Sequence, residues 1–278
     1  MSSENSPRHA LTRKLPIAAI IIWFFTASFF QTVFGVILRV SGIFSATPKS
    51  AEYAGSIIGS IVFLVFMKFW YRPDYSGILR SSLSAKTTLL ATAPVILYSL
   101  AVLLYQLIRY QFYWDSSLIN AIQALAAGVT EETLLRATMI PIAMGFLRSE
   151  KRVWLVPLIT GLIFGALHLA NIFSGATVFN GCFQAFITAL VGIYYGVLFT
   201  ATGSILPGII MHSVYDYICF AGDPTLTGGI MTSAVPVSEI IFNIVIAAGL
   251  AAAAVYILKK IGTSKILAIW NEKWGRNI

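Results

Sequence analysis

Apolar residues in this chain come in long unbroken runs, not in the strict alternation of a half-buried strand or the one-sided stripe of a soluble helix. From Leu15 the chain is apolar and uncharged as far as Arg39, and further runs occupy residues 53 to 70, 88 to 109, 117 to 146, 153 to 171, 180 to 202, 205 to 221 and 238 to 258. A hydrocarbon core about 30 Å thick takes roughly 20 apolar helical residues per crossing. The pattern therefore predicts an all-α, polytopic bundle of about eight transmembrane helices. Polar punctuation separates the runs: Arg72-Pro73-Asp74, Arg148 to Arg152, Thr202-Gly203-Ser204 and Gly222-Asp223-Pro224. The first run is too long for the apolar region of a signal peptide, and no small-x-small cleavage pattern follows closely, so it is read as an uncleaved span.

Composition agrees with lipid as the solvent. Hydrophobic residues make up 58% of the 278 and charged ones 11%, against about 25% charged in ordinary soluble domains, and mean hydropathy is +0.82. The formal charge of +8 is explained by where the basic residues fall. Arg8, Arg13, Lys14, Lys68, Arg72, Arg80, Lys86, Arg148, Lys151, Arg152, Lys259, Lys260, Lys265, Lys273 and Arg276 collect on one side of the predicted spans, and only Arg39, Lys49 and Arg109 on the other. The positive-inside rule makes the first side, and both termini, cytoplasmic. No basic patch stands apart from the membrane flanks, which excludes nucleic acid as a partner. The expected organisation is a polar tail over 1–14, one transmembrane domain over 15–261 with its chemistry in 117–221, and a basic, solvated or headgroup-bound tail over 262–278. Trp23, Phe69 and Trp70 are expected as lipid-facing or interfacial anchors. Cys182 and Cys219 form no CxxC pair and no metal spacing; both fall near the non-cytoplasmic ends of their spans, where a disulfide would need bridging distance.

Most spans are free of charge along their centres. The exceptions are the run at 117–146, with Glu131, Glu132 and Arg136, the run at 153–171, with His168, and the run at 205–221, with His212 and Asp216. A charge at the bilayer centre costs on the order of 2.5 to 3.5 kcal/mol on insertion scales, so such groups face the bundle interior and pair or do chemistry. Glu132 and Arg136, Phe164 and His168, and His212 and Asp216 are each spaced i, i+4 and so share a helix face. Glu131 lies about 100° around the helix from Glu132, which gives the two carboxylates different surroundings. Gly128, Gly161, Gly165, Ala166, Gly203 and Gly208 would allow close helix approach near these positions. Taken singly, each feature has a plainer reading: an i, i+4 ion pair as a structural brace, an intramembrane histidine as a packing residue.

Together the three motifs resemble the CAAX protease and bacteriocin-processing family of intramembrane endopeptidases, which includes the Ras-converting CAAX proteases. EExxxR appears as Glu131-Glu132-Thr-Leu-Leu-Arg136, FxxxH as Phe164-Gly-Ala-Leu-His168, and HxxxN/D as His212-Ser-Val-Tyr-Asp216, with the lead-in Thr202-Gly-Ser-Ile-Leu-Pro207-Gly. The resemblance covers about residues 120 to 220 and implies a multi-pass membrane protease of glutamic or metallo type. Its substrate would be a membrane-embedded or lipidated peptide, such as a CAAX-type tail. It further implies Glu131 as general base, His168 as its partner in holding the water, His212 with Asp216 as water-positioning or oxyanion-stabilising groups, and Glu132 with Arg136 as a supporting ion pair. Many members carry Asn where this chain has Asp216. An ionised Asp only accepts hydrogen bonds, which leaves Asp216 to orient His212 or to help ligate a divalent metal, and leaves Asn171 to supply an amide. Glu131, His168, His212 and Asp216 form a donor set adequate for Zn²⁺ with an open position, whereas the HExxH arrangement is absent; the sequence leaves a metal cofactor open. Two other functions compete: a non-catalytic self-immunity or scaffold protein on the same fold, and a proton-coupled transporter, which would more typically show internal repeats and paired broken helices.

Overall fold

The computed structural model describes residues 10–43, 48–71 and 75–275. The polar tail through residue 9, the Arg72-Pro73-Asp74 loop and Arg276 lie outside the described residues. The end of the expected tail is already helical, as α1 (Ala10–Lys14). There follow α2 (Pro16–Val40), α3 (Pro48–Tyr71) and α4 (Ala85–Arg109). Pro16 at the start of α2 suits a first turn whose N–H groups have no helical partner, and Ser84 caps α4 by accepting from Thr87 N.

The run at 117–146 is helical throughout but not uniform. It begins as α5 (Leu118–Glu131), widens into a π-helical turn over Glu132–Ala137, and resumes as α6 (Thr138–Phe146). Next come α7 (Arg152–Leu167), a 3₁₀ turn over His168–Ser174, α8 (Val178–Thr202), α9 (Leu206–Gly222) and α10 (Val237–Ile261). A two-residue hairpin, β1 (Leu226–Thr227) with β2 (Ile230–Met231), separates α9 from α10, antiparallel with Leu226 opposite Met231. Six described helices are long and apolar enough to cross a membrane: α2, α3, α4, α7 with its 3₁₀ turn, α8 and α10. The segments of the other two predicted spans are helical, as the α5–α6 rod and as α9, but neither is among those six; they are the elements that carry most of the buried charge. The chain is an all-α, multi-pass membrane protein.

The helices pack chiefly as pairs, α2 on α3, α7 on α8 and α5 on α9, with α10 against α8 and α4 against α9. Small residues set the α7–α8 approach. A Cβ on Gly161 would run into the backbone of Ile193, and one on Gly165 into the Ala185 carbonyl and Ala189, so the Gly-xxx-Gly face of α7 brings two backbones together as membrane helices require. Gly128 likewise lies against Ser213 on α9. Ala166 does not take part, being exposed, and Gly203 instead ends α8 with φ 68°. Phe25, Phe29, Leu104, Ile108, Ile241 and Val245 are exposed, an apolar exterior that fits lipid. Trp23 is not among them. It is 6% exposed and packs on Phe63, Phe66, Trp70 and Tyr71 of α3, so it belongs to an aromatic seam inside the bundle.

The segment expected as a basic tail folds as α11 (Thr263–Lys273) and docks. Ile266, Ile269, Trp270, Lys273 and Trp274 are buried, an i, i+3, i+4, i+7, i+8 stripe that makes one face apolar. Trp270 Nε1 donates to Thr200 O at 2.8 Å and Trp274 Nε1 to Pro141 O at 3.0 Å. Lys273 Nζ donates to Gly77 O at 3.1 Å and Arg80 O at 3.0 Å, and burial holds its ammonium below the ordinary lysine range. The loop entering α4 is thereby tied to the foot of the bundle. Trp270→Ala should remove about 3 to 5 kcal/mol of stability, read as a lowered melting temperature in detergent, whereas Lys265→Ala, on the exposed face of the same helix, should leave melting unchanged. Equal melting of the two variants would show that α11 does not brace the fold.

Candidate active site

Arg136 and Glu132 are fully buried, and bare charges there would be prohibitive. They meet across one turn, Arg136 Nη1 to Glu132 Oε1 at 3.2 Å. The guanidinium also donates from Nη2 to Gly192 O on α8 at 3.1 Å and lies over the Phe164 ring of α7 at 4.3 Å from its centroid, a cation–π contact. A Cβ on Gly192 would press on both Phe164 and Arg136, so glycine there is what admits the arginine. Phe164, the first residue of FxxxH, is in edge contact with His168 at 4.7 Å and His212 at 5.7 Å between centroids.

The same Glu132 oxygen faces His212 Nδ1 at 3.0 Å. A carboxylate held by Arg136 can only accept, so Nδ1 carries the proton and donates. His212 Nε2 is then turned to two further carboxylates, Glu131 Oε2 at 3.7 Å and Asp216 Oδ2 at 3.6 Å. Both distances exceed a direct hydrogen bond and are close electrostatic contacts. Tyr195 of α8 stacks on the imidazole, with centroids 5.3 Å apart and planes at 16°. His212 is therefore fixed by Glu132 at one nitrogen and by Tyr195 on one face.

The paired glutamates divide as their angular separation predicts. Glu132 is sealed in the ion pair, while the Glu131 side chain is 36% exposed and lines a cavity of about 590 Å³ together with Phe164, His168, Asn171, His212 and Asp216. The structure thus gathers Glu131, His168, His212, Asp216 and Asn171 on one cavity, with Glu132 and Arg136 behind it. His168 sits in the 3₁₀ turn beyond the end of α7, and its Nδ1 lies 2.9 Å from Phe164 O. A carbonyl only accepts, so Nδ1 is the protonated nitrogen and the Nε2 lone pair is free. The Asn171 amide donates to Gln184 Oε1 at 2.9 Å, and Gln184 in turn donates to Gly229 O at 3.2 Å, linking the 3₁₀ turn to the hairpin.

Among the described residues no three His, Cys, Asp or Glu side chains are grouped to hold an ion. No step is routed through a metal. Cys182 and Cys219 are free thiols; Cys182 is exposed, while Cys219 is on the cavity wall. Three features were not anticipated from the sequence: the π turn, the Glu132–His212 bond and the Tyr195 stack.

A helical membrane bundle with a buried ion pair behind a cavity of carboxylates and histidines defines a class, that of polytopic proteins with an intramembrane site. Residues 113–218 match the family model described as type II CAAX prenyl endopeptidase, Rce1-like. EExxxR, FxxxH and HxxxN/D all lie inside that stretch, so the match supports the likeness to the CAAX protease and bacteriocin-processing family over this part of the chain. No curated protein and no solved structure gave a match.

The geometry separates the roles of the two glutamates by stability alone. Arg136→Met leaves Glu132 buried without its cation and should cost about 3 to 5 kcal/mol, whereas Glu131→Gln, half in the cavity, should melt within about 0.5 kcal/mol of the parent. Thermal unfolding of both variants in detergent checks this, and a reversed order would contradict the assignment.

Proposed function

We propose that the protein is an intramembrane endopeptidase that hydrolyses a peptide bond in a membrane-embedded or lipidated substrate by carboxylate-activated water. The observation that carries the reading is the split of the glutamate pair, one locked in an ion pair and the other facing the cavity beside two histidines. Peptide hydrolysis requires a base for the water, a charge-stabilising environment for the tetrahedral oxyanion and a proton for the leaving amine. Glu131 takes the water proton as the oxygen attacks the carbonyl carbon, and returns it to the departing nitrogen as the C–N bond breaks. His168, with Nδ1 committed to Phe164 O, presents a free Nε2 to the cavity and holds the water from the other side.

His212 faces the reaction through Nε2, its orientation set by Glu132. This makes Glu132 and Arg136 positioning residues. Asp216, an acceptor when ionised, fits the orientation of His212 or of the water better than donation to an oxyanion. Asn171 retains its second amide hydrogen beyond the Gln184 bond and is the neutral donor on that wall. A CAAX-type lipidated tail or another membrane peptide is the substrate class that the family suggests.

The test compares new peptide termini in membranes from host cells carrying the parent or Glu131→Ala at matched expression, and then cleavage rates of the purified proteins on the fragments found. Glu131→Ala and His168→Ala should each lower the rate by roughly 100-fold or more without loss of melting temperature. Identical sets of termini with and without Glu131 would refute the protease reading.

A further inference from the structure

We infer that Gln31, on α2 and outside the family-matched segment, is a positioning residue that sets the direction of Glu131 by holding the backbone where the π turn begins. The inference rests on the protease reading for its kinetic consequence, but its geometric content stands apart from it. Gln31 is the one amide side chain of the predominantly apolar α2, and its Nε2 donates both its hydrogens: one to Ser60 Oγ on α3 at 3.0 Å, the other to the Thr130 carbonyl on α5 at 3.0 Å. With both donors engaged the amide plane is fixed. Ser60 is fully buried and gives its own proton to Ser56 O at 2.9 Å, so its oxygen is free to accept from Gln31. Gly59 makes this possible: a Cβ there would run into the Phe30 carbonyl and the Gln31 Cα, so glycine lets α3 lie directly against the backbone that presents the amide.

The acceptor is the carbonyl of the residue preceding Glu131. In a π turn each N–H reaches back five residues instead of four, and the ladder changes register where the turn starts. Such rare backbone persists only where its surroundings hold it. Hydroxyls bond within the helix on both sides of the turn, Thr130 Oγ1 to Ala126 O at 2.7 Å and Thr138 Oγ1 to Leu134 O at 2.6 Å, and Gln31 adds a bond from another helix immediately ahead of the turn. If the turn relaxed to an α-helix, the two sides would rotate relative to each other by about 100°. Glu131 and the Glu132–Arg136 pair could not both keep their present directions.

The experiment uses the full chain in lipid nanodiscs, with Gln31→Met as the variant that keeps length and flexibility but donates nothing, and Ser60→Ala as the control that spares the Thr130 bond. Backbone amide exchange over residues 128–138, which needs no substrate, should quicken at least tenfold in Gln31→Met and stay at the parent rate in Ser60→Ala. On a fluorogenic farnesylated CAAX peptide, kcat should fall by roughly 10- to 100-fold, the cost of a misplaced catalytic group, with KM nearly unchanged. Should Gln31→Met fail to fold, Gln31→Glu keeps the shape, and its activity relative to the parent should decline as pH rises and the carboxyl loses its one proton. Unaltered exchange over 128–138, or a kcat within twofold of the parent on a peptide that Glu131→Gln no longer cleaves, would overturn the inference. Full activity of Glu131→Gln would instead overturn the protease reading and leave the exchange result to decide for Gln31.

Discussion

A charge cannot be left alone in the interior of a membrane protein, and the Glu132–Arg136 pair is how this chain meets that constraint. The pair is fully buried, and neutralisation across one turn meets only part of the requirement, because a guanidinium has five N–H donors and a carboxylate four lone-pair sites. The rest of the neighbourhood follows from that excess demand. Arg136 takes the Gly192 carbonyl and the Phe164 ring, and Glu132 takes the His212 imidazole. These partners come from α8, α7 and α9, so satisfying one ion pair draws three helices to one point. Glycine at 161, 165 and 192 makes the approach sterically feasible.

What the pair withholds from one glutamate it leaves to the other. Glu131 and Glu132 are neighbours in sequence, yet one is enclosed among fixed partners and the other borders a cavity. Two carboxylates of the same chemical type acquire different properties from surroundings alone, as acid–base catalysis requires. Placing the cavity-facing carboxylate one residue from the buried ion pair has a geometric consequence: any change of helical register between them alters both. The π turn begins between these two residues, at the point where register matters most.

The spans, the three motifs and the grouping of Glu131, His168, His212 and Asp216 on one cavity were legible in the sequence, because each rests on a rule with strong local signal. Long apolar runs specify lipid-buried helices, and i, i+4 spacing specifies a shared face. Asn171 was legible as a neighbour of the site, though its amide already serves Gln184. The π turn was not legible: a wide turn follows from tertiary contacts, and Glu132 to Ala137 has no sequence feature that distinguishes it from an ordinary helix. Trp23 looked like an interfacial anchor because its partners on α3 are some 40 residues away. The stripe of Ile266, Ile269, Trp270, Lys273 and Trp274 in α11 was present in the sequence, but the lysines beside it gave the segment the composition of a solvated tail. Lys273 itself turned inward to two carbonyls, a use of lysine that charge counting does not anticipate. Gln31 did leave a signal, a lone amide in an apolar span, but its meaning depends on a carbonyl 99 residues further along the chain.

The motif-bearing segment does not set its own geometry. The helical rod from Leu118 to Phe146 carries both glutamates and Arg136, and side chains from outside residues 113–218 hydrogen-bond to its backbone on both sides of the π turn. Gln31 of α2 holds the Thr130 carbonyl ahead of the π turn, and Trp274, just beyond α11, holds the Pro141 carbonyl after it. Between them Arg136 is pinned to α8 from within the segment. A rod fixed on either side of an unusual turn cannot relieve that turn by sliding or rotating. The two outer anchors are also the parts that motif comparison does not cover, one in the first long helix and one at the end of the last. The candidate site residues lie in three short motifs, but the register that points Glu131 at the cavity depends on Gln31 and Trp274, which lie well before and well after them in the chain.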